Sequence, residues 1–244
     1  MESDLSVQFN GRLSALQERI AAACGRAGRD PAQVRLLAVS KGFGPEAIEV
    51  AQKAGLNLFG ESRIQEAAVK IEAASGAEWH LIGHLQRNKV RPALALFSMI
   101  HSVDSLRLLE ALARVAAESG HCPDLLLEVN VSGESSKFGF EPEAVPEALE
   151  AAAELGAPPV VGLMTMAPFA KDPEAARPHF RRLRELRDGW QDDLGWSLPE
   201  LSMGMSGDFE VAIEEGATCI RLGTSLFGRR RDWGPAAPDE MDTF

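Results

Sequence analysis

Eight short apolar runs, each followed by a stretch of helical periodicity, narrow the folds open to this chain more than any other feature. Runs of a few aliphatic residues closed by glycine, proline or polar turns read as buried strands. They fall at 34–40, 56–59, 78–82, 98–102, 124–131, 159–163, 200–203 and 218–222. Helical patterns follow at 45–54, 62–74, 86–96, 104–119, 142–155, 173–189 and 207–215, with a short one at 224–228. One more helix, over 5–28, precedes the first strand and carries Phe9, Leu13, Leu16 and Ile20 on one stripe. Strict alternation calls for a parallel sheet with helices outside, and eight units in roughly 190 residues predict a closed (β/α)8 barrel, the TIM barrel of the α/β class. An open doubly wound sheet is the competing arrangement. It usually has fewer units and a Gly-rich turn after its first strand, whereas here that turn holds Lys41 and two glycines.

A chain of 244 residues is long enough for one large core. The expected division is a single barrel domain over 1–230 and a flexible tail over 231–244, where Pro235, Pro238 and several acids follow Arg229-Arg230-Arg231. A net charge of −11 argues against nucleic acid or an anionic membrane as partner, so an anionic ligand needs a local site. Arg177, Arg181, Arg182, Arg184 and Arg187 share a segment with Phe180, Leu183, Leu186 and Trp190 at helical spacing, and read as its wet face. Cys24, Cys122 and Cys219 lie far apart, with neither disulfide nor zinc spacing, which suits a reducing cytoplasm. The acidic start and the lack of a long apolar run argue against a secretory signal or a membrane span.

The first strand, Arg35-Leu36-Leu37-Ala38-Val39-Ser40, delivers Lys41 to its carboxyl end. A lysine is costly to bury there unless it is paired or chemically used, and Schiff-base formation is the expected use. In this fold the active site lies at the carboxyl ends of the strands, and the loops after strands seven and eight often bind phosphate. After strand seven comes Ser202-Met203-Gly204-Met205-Ser206-Gly207-Asp208; after strand eight comes Arg221-Leu222-Gly223-Thr224-Ser225. Small residues and hydroxyls at helix starts offer backbone N–H groups to an anion. Taken singly, Ser206 or Thr224 reads better as an N-cap. Two such turns beside the strand of Lys41 favour a ligand that is both an aldehyde and a phosphate ester.

Pyridoxal 5'-phosphate fits that description: an aldehyde for the lysine, a phosphate for the turns and a ring nitrogen that needs a partner. Arg221, just before Gly223, is the candidate partner; an ordinary salt bridge is the alternative. Arginine does not readily release a proton, so it keeps the ring nitrogen unprotonated and weakens the ring as an electron sink. Asn57, near the expected end of strand two, is a candidate to face the cofactor and equally a turn or edge cap. His80 and His84 straddle a strand end without a third ligand at matching spacing, so no metal site is expected. Met164 and Met166 are read as filling the barrel mouth.

Six motifs in order resemble one family, the pyridoxal phosphate homeostasis proteins, over about residues 8–230. They are Leu37-Ala38-Val39-Ser40-Lys41, Phe59-Gly60-Glu61-Ser62-Arg63-Ile64-Gln65-Glu66, Trp79-His80-Leu81-Ile82-Gly83-His84-Leu85-Gln86-Arg87-Asn88-Lys89, Gly162-Leu163-Met164-Thr165-Met166, Ser202 to Asp208, and Arg221 to Gly228. The resemblance implies a single barrel like the amino-terminal domain of bacterial alanine racemase, with cofactor on Lys41. It also implies phosphate contacts at Ser206, Gly223 and Thr224, and a ring-nitrogen contact at Arg221. Many members carry Glu-Asn-Tyr where this chain has Glu61-Ser62-Arg63, which leaves Ser62 and Arg63 without an assigned role. Lys137 falls in a loop that lies over the site in the family, where it either exchanges cofactor or is simply solvated.

Two functions of different classes follow: a cytoplasmic carrier that holds and supplies pyridoxal phosphate, and an amino-acid racemase. Two-base racemisation needs an acid/base opposite the lysine. In alanine racemases that residue is a tyrosine from a second domain, and this chain contains no tyrosine. A lysine aldolase acting on a sugar phosphate shares the fold but wants its lysine on a later strand. The expectation is a monomeric carrier without catalytic residues, serving the cofactor and PLP-dependent apo-enzymes.

Overall fold

The computed structural model describes residues 4–134 and 137–233. Helix α1 (Asp4–Arg26) comes first, and eight strand-helix units follow: β1 (Arg35–Val39), α2 (Pro45–Lys53), β2 (Leu58–Glu61), α3 (Ile64–Ala73), β3 (Glu78–Leu81), α4 (Val90–Leu96), β4 (Met99–Val103) and α5 (Leu106–Ser119). The second half runs β5 (Asp124–Glu128), α6 (Val145–Glu154), β6 (Val160–Met164), α7 (Arg177–Leu194), β7 (Glu200–Ser202), α8 (Phe209–Glu214), β8 (Cys219–Leu222) and α9 (Thr224–Phe227). The strands are parallel and close into a barrel in sequence order, β8 returning to β1 with Leu37 opposite Arg221. The expected (β/α)8 barrel with its extra amino-terminal helix is therefore the fold, and the open sheet is excluded.

The main apolar core lies in the annulus between strands and helices. Strand residues such as Ala38, Phe59, Leu81, Ile100, Leu127 and Ile220 meet helix residues such as Ile48, Leu94, Leu108 and Leu109 in one cluster. Each of the buried Leu, Ile and Phe side chains contributes about 1.5–3 kcal/mol relative to exposure. Inside the barrel the apolar filling is small: Met99, Leu126 and Met164 form a separate patch. Polar side chains occupy much of the remaining interior, which decides where the chemistry can be.

Two expectations change here. Arg177, Arg181 and Arg184 do more than face solvent, because all three converge on Glu215, and Arg177 also meets Glu214. They tie α7 to the end of α8. Packing also extends beyond residue 230: Trp233 is buried against Phe9, Phe43 and Phe227, and its Nε1 donates to the Phe227 carbonyl at 2.7 Å. The rest of the expected tail, 234–244, lies outside the described residues.

Candidate functional site

Lys41 stands in a hydrogen-bonded turn rather than on the strand itself. The Phe43 N–H donates to the Ser40 carbonyl at 3.0 Å, and Gly42 has φ +74°, the pattern of a type II turn with glycine where positive φ is required. Lys41 is thus exposed to the mouth, and the lysine that the fold buries is Lys70.

A cavity of about 370 Å³ opens at the carboxyl ends of the strands, within the roughly 300–1,000 Å³ common for small-molecule sites. Lys41, Ser206, Gly207, Arg221, Gly223 and Thr224 all line it, with Ser62, Asp208 and the segment 166–173. Six of the seven expected ligand residues therefore share one space. Asn57 does not. It precedes β2 at the amino-terminal end of the barrel, where its carbonyl accepts the Glu78 N–H and its side chain meets Gln52. The strand begins two residues later than its apolar run suggests, and that moves Asn57 to the opposite face.

On the β7–β8 side three hydroxyls converge: Ser206 Oγ lies 2.9 Å from Ser225 Oγ and 3.4 Å from Thr224 Oγ1. Ser225 was not singled out from sequence, although it adjoins Thr224. The turn is held open by Gly204 (φ +92°), where a Cβ would come within 2.5 Å of Ala212, and by Asp208, whose carboxylate accepts the Met205 N–H at 2.6 Å. Burial raises the Asp208 carboxyl above its usual range, with the Met205 hydrogen bond and the Arg221 charge opposing. Helices α8 and α9 span only six and four residues, so the anion donors here are chiefly hydroxyls and turn N–H groups, with little macrodipole behind them.

Arg221, 5% exposed, forms the floor. Its Nη1 donates to the Ser202 carbonyl (2.8 Å) and Ser202 Oγ (2.7 Å), and its Nη2 donates to the Thr165 carbonyl (2.9 Å). It forms no salt bridge among the described residues, and burial lowers its pKa from the usual guanidinium value. The contacts continue away from the mouth. Ser202 Oγ lies 2.9 Å from His101 Nδ1, His101 Nε2 lies 3.0 Å from His80 Nδ1, and His80 Nε2 lies 2.8 Å from Glu78 Oε1.

With both imidazoles neutral this chain has one polarity. The Glu78 carboxylate can only accept, so His80 donates to it from Nε2 and accepts at Nδ1 from His101 Nε2–H. His101 Nδ1 then accepts the Ser202 hydroxyl proton, and Ser202 accepts from the guanidinium. Complete burial, with the charges of Arg221 and Arg35 acting in the same direction, keeps the His101 imidazole well below its usual pKa and hence neutral. The sequence carried only part of the signal for this chain: His80 and Ser202 each sit between apolar neighbours in a strand, which marks them as buried without showing which groups they meet.

Other candidates are placed elsewhere. His84 bonds Asp104 at 2.8 Å and stacks on Phe138. Lys137 donates to the Met166 carbonyl at 3.0 Å and pairs with Glu134 at 3.2 Å, joining two mouth loops. Met164 is buried in the inner patch, whereas Met166 lines the cavity. Among the described residues no group of three or more His, Cys, Asp or Glu is arranged to hold a metal ion, and no helix is long and apolar enough to cross a membrane.

Residues 12–231 match the family described as alanine racemase, N-terminal domain. A pyridoxal phosphate homeostasis protein of Aquifex aeolicus is 48% identical over 222 residues, covering 90% of this chain and 97% of that one. Its counterpart in Pseudomonas aeruginosa is 42% identical over 227 residues, covering 92% and 97%. Among solved structures, PipY of Synechococcus elongatus with PLP bound has a TM-score of 0.78 at 38% identity, covering 90% of this chain and all of that one. A D-threonine aldolase from Filomicrobium marinum, 18% identical with a TM-score of 0.71 and 63% of its length covered, shares the fold. The sequence motifs, the closed barrel and these likenesses agree: the chain belongs to the alanine racemase N-terminal domain family and, within it, to the pyridoxal phosphate homeostasis proteins.

Proposed function

We propose that this chain binds pyridoxal 5'-phosphate at the barrel mouth and serves vitamin B6 homeostasis as a carrier. The observation that carries the reading is the shared cavity: an exposed amine, a cluster of hydroxyls and a buried guanidinium line one space. The donor set fits the cofactor's three functional groups. Lys41 supplies the amine that condenses with the aldehyde; Ser206, Gly207, Gly223 and Thr224 receive the phosphate; Arg221 faces the ring nitrogen. When bound, the cofactor supplies a conjugated ring able to accept electron density from an attached amine.

What the chain's own residues do favours holding over turnover. Arg221 is held as a permanent donor by Ser202 and Thr165, so it offers the ring nitrogen no transferable proton. The mouth segment 166–173 lines the space yet leaves Phe169 97% exposed, so this large side chain does little to exclude water from a developing charge. The carrier reading extends to a monomeric protein in the cytoplasm that supplies PLP-dependent apo-enzymes, with residues 1–230 acting as one cofactor-binding domain. Free, buried Cys24 and Cys219 accord with a reducing compartment.

The test is an absorbance titration with pyridoxal phosphate, followed by an amino-acid turnover assay. A visible band that is lost in Lys41→Ala, with turnover at background, is the expected result. Sustained racemisation of a common L-amino acid would overturn the carrier role, and no spectral change on titration would overturn cofactor binding.

A further inference from the structure

Directly beneath Lys41, three charged side chains meet where the annulus is otherwise apolar. Lys70 of α3, 2% exposed, places Nζ 2.5 Å from Glu61 Oε1, 2.6 Å from Glu66 Oε1 and 2.7 Å from the Ser40 carbonyl. Ser40 Oγ donates to the same Glu61 oxygen at 2.6 Å. Glu66 Oε1 also accepts the Gly42 N–H at 2.5 Å. The peptide groups on either side of Lys41 are thus gripped by two side chains four residues apart, on one face of α3.

Taking three ions out of water is unfavourable, and apolar residues of similar volume often replace such a cluster without loss of stability. Glu61 Oε2 is buried without a hydrogen-bond partner, so the cluster is not even fully satisfied. What an apolar replacement could not do is fix a turn by its polar groups. The Ser40 carbonyl already accepts from the Phe43 N–H, and Lys70 adds a charge-assisted bond to it. The Gly42 N–H, the next donor after Lys41, has the Glu66 carboxylate as its acceptor. Such bonds are roughly twice as strong as neutral ones and hold geometry accordingly.

We propose that Lys70 and Glu66, braced by Glu61, are positioning residues for Lys41. They fix the Ser40–Phe43 turn so that the Lys41 side chain leaves it toward the cavity and meets an aldehyde whose phosphate rests at Ser206 and Thr224. This inference rests on Lys41 being the amine that binds the cofactor. It assigns a role to the two glutamates of the Phe59–Glu66 motif and to a lysine outside it.

A ligand pair separates positioning from general stability. Pyridoxine 5'-phosphate carries an alcohol where pyridoxal phosphate carries an aldehyde, so it uses the phosphate and ring contacts but not Lys41. Equilibrium dialysis of the full chain and of Glu66→Ala, Glu66→Gln and Lys70→Arg is read as the ratio of the two dissociation constants. Glu66→Ala is expected to weaken pyridoxal phosphate about tenfold, the loss of roughly one charge-assisted hydrogen bond, while the alcohol stays within about twofold. Glu66→Gln keeps an oxygen for the Gly42 N–H and is expected to restore most of the ratio. Lys70→Arg keeps the charge but not the compact ammonium, and is expected to lower the ratio between these two. Equal weakening of both ligands, or of neither, overturns the proposal. If the unaltered chain shows no preference for the aldehyde, the reading of Lys41 fails before the positioning claim is reached.

Discussion

Two of the places where the molecule buries polar side chains use opposite means. In the annulus, Lys70, Glu61 and Glu66 hold concentrated charge within hydrogen-bond distance of one ammonium. In the barrel interior, one buried cation, Arg221, touches only neutral groups. The carboxylate at the far end of its chain, Glu78, is three side chains away. The annular cluster acts over one turn of backbone; the interior chain spans from β8 through β7 and β4 to β3. A compact ion cluster suits fixing a backbone, because its geometry is short and charge-assisted. A directional chain of neutral groups suits fixing the orientation of one donor without cancelling its charge.

That contrast can be broken most directly at Lys70. Lys70→Met leaves Glu61 buried without a counter-ion and should cost about 3–5 kcal/mol in denaturant unfolding; adding Glu61→Leu should recover most of it. A single substitution costing under about 1 kcal/mol would show that the cluster is better hydrated than its burial implies.

The neutral chain should respond less. His101→Leu strands the Ser202 hydroxyl and His80 Nδ1, at an expected loss of about 2–3 kcal/mol. A loss as large as that of Lys70→Met would mean that the chain carries net charge.

Glu128, at the mouth end of β5, sharpens the comparison through pH. Burial first, then the Asp104 charge, push its carboxyl from an ordinary 4.5 up to about 7, against the pull of Arg221. Between those values the folded chain holds a proton that the unfolded chain has released, so stability declines as pH rises through that window and stays lower above it. Glu128→Gln should match the parent in unfolding free energy near pH 4.5 and exceed it by about 3 kcal/mol at pH 8.5. Parallel pH profiles for the two proteins would count against a protonated Glu128. The smallest effect belongs to the exposed Lys53–Glu49 pair, 2.6 Å apart on α2: Lys53→Ala should leave the melting temperature unchanged within error, as is usual for surface pairs.

The barrel was legible because every strand is an apolar run closed by a turn signal, and those runs need no knowledge of their neighbours. Boundaries slipped where side chains outside the run decide them. β5 was expected over 124–131 and ends at Glu128, because the Asn130 N–H turns to the Phe140 carbonyl while its side-chain oxygen accepts the Ser132 hydroxyl and the Gly133 N–H. The β7 and β8 turns were readable from glycines and hydroxyls at consecutive strand ends. The support beneath Lys41 was not, since Glu66 and Lys70 lie 24 and 30 residues from the groups they hold and look like an ordinary solvated helix face. The interior chain stayed hidden for a related reason: the His101–Ser202 contact joins strands across the barrel, and buried parallel strands do not announce which face is inward.

The aromatic contact of Phe9 with Phe227 and Trp233 also bears on how the chain is made. Among the described elements helix α1 is made before all others, yet its main packing partners, α8 and α9, and the strand that closes the barrel on β1 are among the last to emerge. Until then Phe9, Leu13 and Leu16 present an uncovered apolar stripe. A rearranged gene that joins α1 behind Trp233 would encode its last partner beside it.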